Sequence, residues 1–410
     1  MRSFLFYITF LIFFCSAASA SFINVDQPKD KTTTYQEVLT LSGNSSGLDA
    51  LSINNIPIDI KADGSFSCGL VLARGKNYVE IKSWDKKGKF QVKSLRILRL
   101  VSFPDVEIRY ENKEHWARSE VVTLASLGII EGYPDGNFYL YQAETRGELA
   151  TWIIRAKGIP VYQTLTDVFF DVPKEHWRAP YIKAAYDNGL MQPISPNVFG
   201  IDDTVTRAEA AGVALKVEGS KFISEIESAF NDVPETHPYY AAIEKSKESG
   251  LVKGISRKFP IFEPNREITR AEAAIVISRF NRVKLLASWL YDFEQGFSEK
   301  YYCKINTPPE ISSVSVNPQR FSIFDENMLL TLKARIYDRE GLQDIFSVKS
   351  DISSLGGPPD AEMRGNGTNG EYTLQFTPTI ESWGEKAITV TATDKYSSTG
   401  SGQTSVTVVR

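Results

Sequence analysis

The chain has 410 residues, with 46 basic and 50 acidic side chains and a formal net charge of −4. That balance excludes the basic stripe by which proteins neutralise nucleic-acid phosphates, and the length allows about two to four domains. Residues 1–20 have the form of a secretory leader: Arg2, an apolar run from Phe4 to Phe14, then Ala18-Ser19-Ala20 as a small-residue cleavage site. The run is shorter than the roughly 20 residues of a membrane-spanning helix, so export with a mature start at Ser21 is expected. Cleavage would leave Cys68 and Cys303, whose pairing the sequence does not assign.

Residues 21–101 read as strands. Leu51 to Asn54, Ile56 to Ile60 and Tyr78 to Ile81 alternate apolar and polar side chains, with turn signals at Asp63-Gly64, Gly75-Lys76-Asn77 and Lys87-Gly88. A small β-sandwich is expected, and the run from Asn54 to Trp84-Asp85 resembles bacterial Ig-like modules of surface proteins.

Residues 102–285 carry a three-fold repeat, with copies at about 102–160, 161–220 and 221–285. Its core is Thr145-Arg146-Gly147-Glu148, Thr206-Arg207-Ala208-Glu209 and Thr269-Arg270-Ala271-Glu272. Upstream stand His115, His176 and His237, 61 residues apart and the only histidines in the chain, and Gly128, Gly189 and Gly250 follow with the same spacing. Thr with Glu three positions on is a capping box opening a helix. Between each His and Gly a second apolar helix is expected, closed by a left-handed Gly. The arginines are anomalous. Each takes the first helical position, where the helix dipole disfavours a cation by about 0.3–1 kcal/mol. Either each pairs with a carboxylate of a neighbouring copy, or arginine and free helix amides form an anion site.

Residues 286–306, with Trp289, Tyr291, Phe293, Tyr301 and Tyr302, are too aromatic for a loose linker and are expected to pack across a domain junction. Residues 307–410 hold further strand candidates, at Leu329 to Ile336, Tyr372 to Phe376 and Ala387 to Ala392, and are expected to form a second Ig-like sandwich.

Phe103-Pro104-Asp105-Val106, His115-Trp116, the run from Leu127 to Phe138 and Thr145-Arg146-Gly147-Glu148, repeated with variations twice more, resemble the S-layer homology domain. The resemblance implies an all-α pseudo-trimeric module, here between two all-β sandwiches, that holds proteins non-covalently to the bacterial cell envelope. Its partner would be an anionic wall-linked glycan, pyruvylated in many bacteria, bound in grooves between copies. By this resemblance Arg146, Arg207 and Arg270 would bind carboxylate, and Asp105, Asp171 and Asp232 would accept sugar hydroxyls. Trp116 and Trp177 would form groove walls, and Gly132 would let a sugar approach the backbone. Copy three has Pro238 in place of Trp, copies two and three lack Gly-Tyr-Pro-Asp-Gly, and copy one has five extra residues between Asp105 and His115, so at least one groove is expected to be weak.

Three histidines invite a zinc site, but their identical register marks one repeated position rather than a ligand set. With no fourth histidine, a Ser-His-Asp hydrolase has no separate base. Asp338 and Asp394 are read as strand-end turn residues, with calcium binding as the alternative. The expectation is a non-enzymatic, cofactor-free envelope protein, wall-associated or periplasmic, with self-association or protein partners open. The alternatives are a polysaccharide-active enzyme anchored by the repeats and a lattice-forming subunit.

Overall fold

A computed structural model describes residues 21–219, 229–256, 258–325, 328–365, 369–380 and 382–410. The expected leader at 1–20 lies outside the described residues, as does Asn366-Gly367-Thr368, whose sequence fits an N-glycosylation sequon.

The N-terminal strands are β1 (Phe22–Gln27), β2 (Thr32–Thr34), β3 (Val38–Ser46), β4 (Leu48–Ile53), β5 (Ile56–Pro57), β6 (Ser65–Val71), β7 (Gly75–Asp85) and β8 (Phe90–Arg99). Period-two alternation buries one face of each long strand, and Leu41, Ile53, Phe66, Leu70, Val79, Ile81 and Ile97 meet in one core. One sheet runs β2-β8-β7-β4-β5 and the other β1-β3-β6-β9. The last member, β9 (Lys304–Asn306), comes from beyond the repeats and pairs antiparallel with β6, placing Asn306 opposite Gly69. The repeat region is therefore inserted between two strands of one sandwich. Cys68 and Cys303 lie in this core as free thiols, and burial pushes both up to about 12.

Each repeat contributes two helices: α1 (Arg118–Ser126) and α2 (Arg146–Lys157), α3 (Ala179–Asp187) and α4 (Arg207–Glu218), α5 (Tyr240–Glu248) and α6 (Arg270–Ser278). Thr145, Thr206 and Thr269 each accept from the amide of the Glu three residues on, as the capping motif requires. Gly128, Gly189 and Gly250 follow the first helix of each pair at φ +72°, +68° and +72°, a conformation that a Cβ would strain.

The all-α expectation is corrected here. The described chain is mostly β, its helices are short, and the repeat loops 127–145, 158–178, 188–206 and 249–269 are each longer than the helices they join. Their backbones cannot remain unpaired, so they pair with one another in extended form. Bridges link Thr145 with Thr204, Thr206 with Glu267 and Ala143 with Thr269. At the centre the amide of Glu144 donates to Ile268 O, that of Ile268 to Val205 O, and that of Val205 to Glu144 O, closing a ring at 2.9–3.0 Å. Helical periodicity reveals the six helices but carries no trace of this extended centre.

A seventh helix, α7 (Asn281–Tyr291), leads back to the sandwich. Its Leu290 meets Leu98, Leu100 and Val122, so strand β8, helix α1 and α7 share a small core. Lys76, 3% exposed, sends its ammonium between the rings of Trp289 and Phe297, at 4.4 and 4.8 Å, and donates to the carbonyls of Asp292 and Gln295.

The C-terminal sandwich follows Pro308-Pro309 with β10 (Glu310–Asn317), β11 (Arg320–Ser322), β12 (Leu330–Tyr337), β13 (Ile345–Asp351), β14 (Ala361–Glu362), β15 (Arg364–Gly365), β16 (Glu371–Phe376), β17 (Gly384–Asp394) and β18 (Thr399–Val409). Sheets β10-β12-β16-β15 and β11-β18-β17-β13-β14 enclose Leu330, Leu332, Ile388, Val390 and Val406.

Replacing Lys76 by Ala leaves two carbonyls without their donor and two rings without their cation. A loss of about 1–3 kcal/mol in urea unfolding is expected, with no change in the strands of the isolated circular-dichroism spectrum.

Candidate glycan grooves between the repeats

The three arginines form a closed cycle. From α2, Arg146 reaches copy two, donating through Nε to Phe199 O and through Nη2 to Gln192 O, and pairing with Glu209. From α4, Arg207 reaches copy three in the same way, to Phe262 O, Lys253 O and Glu272 at 3.0 Å. From α6, Arg270 returns to copy one, to Phe138 O, Glu131 O and Glu148 at 2.9 Å. Each guanidinium also lies over the phenylalanine ring whose carbonyl it holds, at 4.6–4.9 Å. All three arginines are at least nine-tenths buried.

The helix amides close a parallel cycle. Arg146 N and Gly147 N donate to Asp203 O and Ile201 O, Arg207 N and Ala208 N to Arg266 O and Pro264 O, and Arg270 N and Ala271 N to Gln142 O and Leu140 O. The carboxylate paired with each arginine is the motif Glu of the next copy, Glu209, Glu272 or Glu148. Glu148 and Glu272 also cap their own helices, and the three carboxylates neutralise the neighbours' cations, which accounts for the cations at the positive ends of helix dipoles.

The aspartates support the same carbonyls. Asp105 accepts from Phe138 N and Tyr139 N, Asp171 from Phe199 N, Gly200 N and Ile201 N, and Asp232 from Phe262 N and Glu263 N, at 2.6–2.9 Å. Burial opposes the Asp171 charge, but the three backbone donors outweigh it and hold the carboxyl below the usual range. At Gly132 a Cβ would stand 2.5 Å from the Phe103 ring and 2.7 Å from Asn137 O, so its close approach is to the protein's own loop. The histidines act locally: Nδ1 of His115, His176 and His237 accepts from the amide two residues on, at 3.1–3.2 Å.

Three equivalent positions lie between copies, each bounded by a loop, a helix and the start of the next copy's first helix, and they differ in what fills them. In the first, Glu131 pairs with Arg155 across the mouth, and Arg178 points inward to Glu148 at 3.4 Å. Trp177 is spent on Arg178 and Arg155, at 4.4 and 5.8 Å. In the second, Tyr239 lies against Gly212, where a Cβ would be 3.0 Å from the ring, and a cavity of about 230 Å³ remains. In the third, the residue at the position of Arg178 and Tyr239 is Ala117, fully buried, and the cavity is about 510 Å³.

That third groove is lined by Trp116, Arg207, Lys253, Phe262, Glu272 and Arg279. Lys253 occupies the position of Glu131, so the pair that closes the first groove is here two cations, Lys253 and Arg279. Arg279 spends Nη1 on Leu251 O at 2.8 Å, and burial lowers its pKa against the pull of Glu120. Trp116 is 57% exposed and also borders a second hollow of about 750 Å³ with Ile108, Tyr110, Tyr139 and Tyr141. The structure thus brings Trp116 and Arg207 together and leaves Arg146 and Arg270 in other grooves. No motif in the sequence includes Lys253 or Arg279. The available signal was the basic residue nine positions after each motif arginine, at Arg155, Lys216 and Arg279.

Arg270→Ala is expected to cost about 3–5 kcal/mol in denaturant unfolding, because fully buried Glu144 would lose its cation, Phe138 O and Glu131 O their donors, and Glu148 one of its two arginines. Burial holds His115 and His176 below the usual imidazole range, with Asp105 opposing at His115 and Arg178 reinforcing at His176. The unfolded chain then takes up these protons first as pH falls, so their contribution, present at pH 7, is lost downward from about pH 6.5. Glu144, raised by burial, has the opposite sign. Comparing urea midpoints of the wild type and the His115→Asn/His176→Asn variant at two pH values isolates the histidines, and a smaller acid loss is expected in the variant.

A family profile described as "S-layer homology domain" matches residues 112–139, 169–211 and 229–274, and one described as "Glucodextranase, domain B" matches residues 22–99. The "Surface-layer 125 kDa protein" of Lysinibacillus sphaericus is 30% identical over 168 residues, 40% of this chain and 14% of that protein. The "Cell surface protein" of Thermoanaerobacter kivui is 26% identical over 230 residues, 54% of this chain and 26% of that protein. The "Amylopullulanase" of Thermoanaerobacterium thermosulfurigenes is 29% identical over 170 residues, 40% of this chain and 9% of that protein. The chain therefore spans about a quarter or less of the length of these relatives. Among the described residues no helix is long and apolar enough to cross a membrane. The chain carries three tandem S-layer homology repeats, which follow a region similar to glucodextranase domain B.

Proposed function

We propose that the protein anchors non-covalently to a cell-wall glycan at the bacterial envelope, through the groove walled by Trp116, Lys253 and Arg279, and that it is not an enzyme. The observation that carries this reading is the combination found in one groove: small Ala117 at its base, an exposed indole at its mouth, and two cations where the equivalent groove has an ion pair. An exposed aromatic face offers a sugar ring an apolar surface, while Lys253 and Arg279 supply donors for a carboxylate such as that of a pyruvylated sugar. Arg207, at the back of the groove, holds the Phe262 and Lys253 carbonyls and positions the wall that a glycan meets. The hollow beyond Trp116, with Tyr110, Tyr139 and Tyr141, would extend contact along a polymer. Surface-layer proteins among the relatives support an anchoring role, whereas the amylopullulanase keeps an enzymatic part of a longer protein as the second reading.

Cosedimentation of the protein with purified cell-wall sacculi tests this. Trp116→Ala combined with Arg279→Ala is expected to weaken binding by about tenfold or more, whereas Arg155→Ala, in the closed groove, is expected to bind as the wild type does. Mild acid that removes pyruvyl ketals from the wall should reproduce the loss. Unchanged binding by the Trp116/Arg279 variant would refute this groove as the site.

A further inference from the structure

Away from the grooves, the junction between the two sandwiches gathers oxygen ligands. Asp338 and Asp344 flank the turn after β12, and Asp394 ends β17; one carboxylate oxygen of each lies within 4.8 Å of the other two. Asp338 and Asp394 are 3% and 1% exposed, and among the described residues no ion pair neutralises any of the three. Three carboxylates this close repel strongly out of water. Burial, with Glu340 and Asp344 beside it, pushes the Asp338 carboxyl up to about 6.

A separate observation comes from the other sandwich. Asn306, the last residue of β9, is 1% exposed and places its amide against Asp394 Oδ2 at 2.8 Å. Its own Oδ1 has no partner, and neither do Asp338 Oδ2 and Asp344 Oδ2. Three buried acceptors left unsatisfied in one place is costly, and an acceptor lacks only a donor or a cation. Neighbouring oxygens are committed: Asp338 Oδ1 accepts from Glu340 N, Asp394 Oδ1 accepts from Tyr396 N and Ser398 N, and the Glu340 carboxylate holds Thr307. Those bonds hold Asp338 and Asp394 in place and leave Asp338 Oδ2 without a partner, beside Asp344 Oδ2 and Asn306 Oδ1.

We propose that Asp338, Asp344, Asp394 and Asn306 form a calcium site that joins the two sandwiches. The donors are all oxygens, as a hard divalent cation requires, and among the described residues no histidine or cysteine joins the cluster to favour a transition metal. Calcium tolerates irregular coordination at 2.3–2.6 Å, whereas magnesium demands near-octahedral geometry and retains its waters, so a compact buried cluster favours calcium. Because Asn306 belongs to the N-terminal sheet and the aspartates to the C-terminal sandwich, the ion would fix the angle between the two across Thr307-Pro308-Pro309.

The test uses the full chain, stripped with chelator and dialysed against calcium at pH 7.5. Uptake of a single calcium with a dissociation constant on the order of 10⁻⁴ M or tighter is expected, with a matching rise in melting temperature that magnesium at the same concentration does not give. Asp344→Asn, the most accessible substitution, should weaken uptake by about tenfold or more while circular dichroism stays unchanged. Asn306→Ala should weaken it as well and should increase proteolysis at the junction. No calcium uptake by a folded wild-type chain, or uptake unaltered by Asp344→Asn, would overturn the site. Uptake that is insensitive to Asn306→Ala would overturn its bridging of the two sandwiches.

Discussion

Cyclic exchange between copies is the constraint on which the repeat module rests. No Thr-Arg-x-Glu helix start satisfies all of its own amides, none of the three motif arginines pairs within its own copy, and no motif Glu serves only its own helix. Arg146 depends on copy two, Arg207 on copy three and Arg270 on copy one, so a single copy would expose three arginine donors and a set of helix amides. The inner ring of Glu144, Val205 and Ile268 has the same property in the backbone. Such a module is expected to form all at once, because removing one copy leaves orphans in both of the others.

The same cycle frees the grooves to diverge. Since the arginines, aspartates and phenylalanine carbonyls carry the architecture, the residues at the mouths are under no structural demand to match. Arg178, Tyr239 and Ala117 occupy one position with three different volumes, and Glu131, Gln192 and Lys253 another with three different charges. Strict repetition inside and variation at the rim are therefore two sides of one arrangement.

Much of this was legible in the sequence. The Thr-x-x-Glu boxes fixed the helix starts because capping is a local interaction, and the 61-residue spacing exposed the repeat because every copy needs the same closing glycine. The ion-pair alternative for the arginines was also visible, since the dipole argument demanded a carboxylate, but which copy supplied it was not. The extended centre was hidden because Glu144, Val205 and Ile268 pair across more than 60 residues and share no side-chain pattern. Strand β9 was hidden for a similar reason: three residues carry no period, and only the partner β6 makes Lys304–Asn306 a strand. Lys253 and Arg279 acquire meaning only once copies one and three are seen to face each other.

The return of the chain through β9 has a mechanical consequence. If the repeats are held to a wall and the C-terminal sandwich is pulled, tension runs along the covalent chain through α7 and enters β9 before it reaches residue 307. Antiparallel pairing of β9 with β6 spreads that tension into the body of the N-terminal sandwich, and Lys76, clasping Asp292 and Gln295, takes up part of it earlier. The sandwich that precedes the repeats in sequence thereby becomes a shock absorber between the holdfast and whatever the far end carries.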